Sequence, residues 1–236
     1  MTAVFGPPEY RGVRVVDSFD ALLATPLGGE VSAVCWRRVL AGDFEEVVAS
    51  VAAHDAVTAL DADLLASLRL GAAGRAAVDT LLDDLRRLRE LGHDPSLECI
   101  RGYARDDAGR AVRTDVYSFH VDRADVPTET FLCSYNAPAS EGLRHDEARR
   151  HVDVPATRAR LLTEFGGADD AAFCTWLREH NYDLHYAPTA AARPFSFGVG
   201  NLWRLAVEHP GSAGPACIHR APDDRGGGLP RLLLIS

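Results

Sequence analysis

The sequence predicts an α+β protein, helical towards the front and built of short strands from Ser96 onwards, and two observations carry that reading. Between Ala73 and Leu91, Val78, Leu81, Leu82, Leu85, Leu88 and Leu91 recur at three- and four-residue intervals, with Asp83, Asp84, Arg86, Arg87 and Glu90 on the other face. That is the pattern of a helix with one buried side, packed on the outside of a sheet. After Ser96 the apolar residues come in short runs bounded by Gly, Pro, Asn and Asp, as in strands joined by turns. A chain of 236 residues is long enough for one sizeable domain. The expected organisation is a single domain over 1–236: a mainly helical part, 1–95, supporting a β-rich core, 96–236, with a helical insertion at about 141–181.

Taken in order, residues 1–30 read as an irregular lead-in, with Pro7-Pro8 and Gly28-Gly29 as breakers. Val31–Trp36 is a short apolar segment running into Arg37-Arg38. Asp43 is an N-cap for a helix through Phe44, Val47, Val48 and Val51, and a second short helix covers Ala62–Leu70. Gly92 closes the long helix as its C-cap. Leu97–Ala104 reads as a strand, Asp106-Asp107-Ala108-Gly109 as a turn, Ala111–Val121 as the next strand and Thr128–Tyr135 as a third, ending in Asn136-Ala137-Pro138. Residues 141–181 are polar and helix-like, with Phe173, Trp176 and Leu177 at helical spacing. Phe195–Leu205 gives strand, turn and strand, and the final strands surround His219 and Arg231. Helices in front of many short strands point to a double-sheet jelly roll.

The net charge of −9 and the pI near 5.4 argue against a nucleic-acid backbone as main partner, which needs clustered cations. All 25 basic residues are Arg. The missing lysine excludes Schiff-base chemistry and a P-loop. No apolar run approaches the roughly 18 residues of a membrane span, and the N-terminus lacks the basic and apolar regions of a signal peptide. The cytoplasm is the expected compartment. Cys35, Cys99, Cys133, Cys174 and Cys217 form no Cys-x-x-Cys pair and read as buried reduced thiols. There is no Gly-x-Ser-x-Gly elbow, no His-Glu-x-x-His helix and no complete Gly-x-Gly-x-x-Gly.

Chemistry concentrates at Phe119-His120-Val121-Asp122-Arg123. In a strand, residues i and i+2 share a face, so His120 and Asp122 project together. His219, in Cys217-Ile218-His219-Arg220, would complete a set of two imidazoles and one carboxylate. Such a triad suits non-haem Fe(II) and leaves coordination positions open. Cys217 shares the strand face of His219 without being read as a ligand. Asp183-x-His185, within His180–Tyr186, is the rival pair and is otherwise read as a pocket wall or lid. His145 and His151 lie in a charged stretch and read as solvated. Tyr117 and Tyr135 are candidate hydrogen-bonding residues for cosubstrate or substrate, or else core residues with satisfied hydroxyls; Asn201 and Trp203 share that ambiguity.

The order His-x-Asp, a long gap, His and a downstream Arg resembles the Fe(II)/2-oxoglutarate-dependent oxygenases. Phe119-His120-Val121-Asp122-Arg123, Leu132–Pro138, His219-Arg220-Ala221-Pro222, Arg231-Leu232-Leu233-Leu234 and Trp36-Arg37-Arg38 also resemble a bacterial family of unknown function. That family carries His-Val-Asp, Tyr-x-Gly-Pro-Gly-Thr, His-Arg-Ser-Pro and Trp-Arg-Arg; its glycines are absent here at Asn136–Ser140. The oxygenase resemblance implies a double-stranded β-helix (cupin-like) core and Fe(II) on His120, Asp122 and His219. It further implies 2-oxoglutarate as cosubstrate, dioxygen as oxidant and a small-molecule substrate. Arg231 would then pair with the distal carboxylate of 2-oxoglutarate, as guanidinium geometry allows, with Arg220 as fallback and Ser236 as companion; the other reading of Arg231 is a strand-edge ion pair. The alternatives to a 2-oxoglutarate-dependent dioxygenase are an Fe(II) oxygenase independent of 2-oxoglutarate and a non-catalytic metal-binding or metal-handling protein.

Overall fold

A computed structural model describes residues 10–51, 55–106, 109–223 and 230–236. The expected Pro7-Pro8 breaker, the Asp107-Ala108 portion of a turn and Leu229 lie outside the described residues. In chain order the elements are β1 (Val13–Val16), α1 (Phe19–Ala24), β2 (Ala33–Trp36), α2 (Phe44–Ser50), β3 (Val57–Ala59), α3 (Ala62–Ser67), α4 (Ala72–Glu90) and β4 (Ser96–Ile100). There follow β5 (Phe119–His120), β6 (Glu129–Ser134), β7 (Glu141–Gly142), β8 (Ala148–Arg150), α5 (Pro155–Phe165) and α6 (Ala171–Glu179). The chain continues with β9 (His185–Pro188), β10 (Phe195–Ser196), β11 (Leu202–Ala206), β12 (His219–Arg220) and β13 (Arg231–Ile235).

The protein is mixed α+β, with two sheets. One runs β1-β2-β11-β6-β13-β4-β3 and the other β10-β7-β12-β5-β9-β8. Neighbouring strands are antiparallel except for the parallel pair β1–β2. Side-chain alternation gives the larger sheet two apolar faces. Phe131, Cys133, Leu232 and Leu234 meet Val78, Leu81, Leu85 and Leu88 of α4 in one core. Burying each of those leucines contributes about 2 kcal/mol. Leu132, Trp203 and Leu233 point the other way and meet Phe195 and Cys217 from the side of the smaller sheet. The two sheets therefore pack face to face.

Capping follows the chemistry of the sequence. The carboxylate of Asp43 accepts from the Glu46 N–H at the start of α2, and Asp61 does the same for Leu64 in α3. Gly92, at φ 85°, takes the left-handed conformation that ends α4. Elsewhere the structure corrects the reading from sequence. The part before Ser96 is not a helical support alone: besides α1–α4 it contributes β1, β2 and β3 to the larger sheet. Nor is the lead-in irregular after Tyr10: β1 pairs with β2, and Ser18 caps α1 by accepting from the Ala21 N–H. The strand expected over Ala111–Val121 shrinks to β5. Its approach is held as a loop because Asp115 accepts from the N–H groups of Asp106 and Tyr117 and from Arg113, in competition with ladder bonds. Within Arg144–Arg150, His145–Glu147 form a short 3-10 turn and Ala148–Arg150 are β8, rather than a helix. Cys174 is exposed, while the other four cysteines are buried. No helix among the described residues is long and apolar enough to cross a membrane.

Candidate metal centre

Two adjacent strands of the smaller sheet bring the site together. In the β5–β12 pair, His120 lies directly opposite His219, and directly opposed residues share a face. Asp122 follows just beyond β5. Among the described residues, His120, Asp122 and His219 each offer one ligand atom, all within 4.8 Å of one another. Nε2 of His120 is 3.9 Å from Oδ1 of Asp122, and Nε2 of His219 is 3.9 Å from Oδ2. Donors at right angles, about 2.1 Å from a common ion, stand about 3 Å apart, so the arrangement is slightly open.

Backbone and neighbouring side chains orient all three groups. Nδ1 of His120 is bonded to the Ser118 carbonyl at 2.8 Å, and Nδ1 of His219 to the Cys217 carbonyl at 3.2 Å. With Nδ1 as the donor, each ring presents the lone pair of Nε2 to the centre. The Thr130 hydroxyl donates to Oδ2 of Asp122 at 2.7 Å; Thr130 was not singled out from sequence, although it shares the inward face of β6 with Leu132 and Ser134. Gly142, opposite His219 on β7, is required there, because a Cβ would run into the rings of Phe195 and Phe197.

The charge states suit a cation. Burial, then the neighbouring His219, lowers His120 to about 4, so its imidazole is neutral near pH 7. Burial raises Asp122, but His219, the Thr130 hydroxyl and His120 outweigh it and leave the carboxyl below its usual range. Two imidazoles and an ionised carboxylate form a donor set that could hold a divalent metal ion. The Asp122 side chain is 32% exposed. A cleft of about 390 Å³, lined by His120, Asp122, Asp115, Asn181 and His185 among others, opens beside it.

The other candidates fall elsewhere. Tyr135 does not reach the centre: alternation along β6 sends it with Phe131 and Cys133 to the helical side, where it stacks on Phe44 and donates to Asp84. Asp84, expected on the exposed face of α4, is buried there in an ion pair with Arg38. Arg220 turns away from His219, as the next residue on a strand must, and is held by Glu141 at 2.6 Å and by the Phe119 ring. The Tyr117 hydroxyl accepts from the Tyr103 N–H, and Arg105 stacks on its ring, so it fastens the loop before β5. Arg231 is no strand-edge residue: it is 3% exposed, faces the gap between the sheets with Leu233, and donates to the Pro138 carbonyl and the Ser140 hydroxyl. Ser236 bonds the Phe131 backbone instead of accompanying it. Asn201 and Trp203 both donate to the Phe197 carbonyl.

The rival pair dissolves, because Asp183 sits in a 3-10 turn where strand spacing fails, and it is taken by Arg123. His185, by contrast, lines the cleft beside His120. His145 is not solvated; it is bonded to the Tyr10 hydroxyl and the Ala216 carbonyl. His151 is only half-buried, and burial lowers it. No protein-family model, curated protein or solved structure matches the chain.

Proposed function

We propose that the protein is a non-haem Fe(II)- and 2-oxoglutarate-dependent dioxygenase that oxidises a small molecule. The convergence of His120, Asp122 and His219, with both imidazoles tethered through Nδ1, carries the reading. The strand order adds support for a double-stranded β-helix. Strands β11-β6-β13-β4 are neighbours in one sheet and β10-β7-β12-β5 in the other. The chain thus crosses between sheets at each of these steps except β7 to β10, the path of an eight-strand jelly roll.

When bound, Fe(II) and 2-oxoglutarate supply the oxidation: dioxygen is consumed, the keto acid becomes succinate and carbon dioxide, and a substrate C–H becomes C–OH. The protein's own part is placement. His120, His219 and Asp122 hold the ion, Thr130 fixes the carboxylate, and the cleft admits substrate beside Asp122. Arg231, on the gap between the sheets, is the residue for the distal carboxylate of the cosubstrate. One observation favours a second reading, an Fe(II) oxygenase without 2-oxoglutarate: Arg231 does not line the cleft at the triad and already serves Pro138 and Ser140.

Anaerobic titration of metal-free protein with Fe(II), then 2-oxoglutarate, tests both. The expected result is a weak visible charge-transfer band that needs both additions and is lost in His120→Ala and Asp122→Ala. Iron binding without the band moves the assignment to the second reading or to a metal-handling protein. Absence of iron binding refutes the metal centre.

A further inference from the structure

His120 faces His219 on one side, across the β5–β12 ladder, and faces His185 on the other, across β5–β9. Three imidazoles therefore lie in one row on adjacent strands, with ring centroids 4.7 Å apart for His120–His219 and 5.6 Å for His120–His185. Only two belong to the ligand group. The third differs from them in one respect that decides its role. His120 and His219 are tied through Nδ1 to a carbonyl two residues back, as metal-binding imidazoles are. Nδ1 of His185 is buried without a protein partner, although the residue is 4% exposed and lines the cleft that opens on His120 and Asp122. A buried polar group left without a partner is unfavourable, so a bound molecule that supplies the missing hydrogen bond is favoured there. A neutral ring whose tautomer no carbonyl fixes can serve as donor or as acceptor.

We propose that His185 is a ligand-binding residue of this centre. It hydrogen-bonds the small oxygen- or nitrogen-donor molecule that binds at the metal beside His120, and so sets that molecule's affinity and orientation. Lacking the tether, it is not a fourth protein ligand. The inference rests on the metal reading of His120, Asp122 and His219.

The test uses the full chain, Co(II) as metal probe and azide as exogenous probe, both followed in the visible ligand-field spectrum. His185→Phe removes the hydrogen-bonding group at similar size, His185→Ala does so by truncation, and His185→Gln restores an amide donor. The expected result is Co(II) affinity within about threefold of wild type in all three, with azide binding weakened about tenfold in the Phe and Ala variants and partly restored in Gln. Unchanged azide affinity in Phe or Ala overturns the inference and leaves the metal centre standing. Loss of Co(II) binding in these variants also overturns it, by making His185 a ligand or a support. Failure of wild-type protein to bind Co(II) removes the metal reading itself.

Discussion

Asp84→Ala is the substitution expected to cost the most stability for the fewest atoms removed. The carboxylate is bound by both terminal nitrogens of Arg38 and accepts from the Tyr135 hydroxyl at 2.6 Å. Arg38 and Asp84 side chains are 9% and 2% exposed. Burial, then the neighbouring Cys133 and Asp84, raises Tyr135 well above 10, so its hydroxyl stays a donor throughout the working range. Truncation leaves a buried guanidinium without its carboxylate and a buried hydroxyl without its acceptor. Breaking one side of such a pair costs about 3–5 kcal/mol, a large share of a total of about 5–15 kcal/mol. With a urea m-value of about 3 kcal/mol/M, the midpoint falls by about 1–1.7 M. Removing both charges as Arg38→Met with Asp84→Leu recovers at least half of that loss, because no charge is then stranded. Tyr135→Phe, which deletes one hydrogen bond, costs about 1 kcal/mol. Urea titrations of the four proteins with tryptophan fluorescence decide it. A midpoint shift below about 0.5 M for Asp84→Ala, or a double variant no better than the single, refutes the reasoning.

Thr130→Val keeps the shape of β6 but removes the donor on Oδ2 of Asp122; divalent-metal affinity should fall about 10–100-fold with little change in urea midpoint, checked by competition with a chromophoric chelator. His145 gives a pH signature. Burial holds its folded pKa below 6.5, against the Ala216 carbonyl, which raises it. Its contribution is therefore complete above pH 6.5 and is lost as pH falls from there towards the folded value, by at most about 1.4 kcal/mol per pH unit. Urea midpoints at pH 7.5 and 5.5 should fall further for wild type than for His145→Gln, and equal falls would exclude the residue.

Much of the fold was legible because periodicity and capping report local structure directly. Asp43 and the leucines of Ala73–Leu91 placed α2 and α4 within a residue or two of their observed ends. Less local features were hidden. Val13–Val16 becomes a strand only through its partner Ala33–Trp36, and Ala111–Ser118 loses its strand to side-chain bonds from Asp115. Asp84 looks solvated in a helical pattern; its burial depends on Arg38 and Tyr135, far away in sequence. At the site, His120, Asp122 and His219 could be grouped from residue type and strand spacing. The same alternation, carried from Phe131 and Cys133 to Tyr135 and from His219 to Arg220, points both away from the centre. Thr130 and the carbonyl tethers carry no sequence signal of their own.

The pairing of His120 with His219 also has a bearing on biosynthesis. Imidazoles from two distant stretches meet only through a two-residue strand on each side. A slip of one residue in either would present Val121 or Arg220 in place of an imidazole. During translation the centre stays incomplete until His219 has left the ribosome and found its register, a late, non-local event of the kind that folds slowly. Metal capture would then report that the correct register has been reached, and chains stalled upstream of His219 would be left without it.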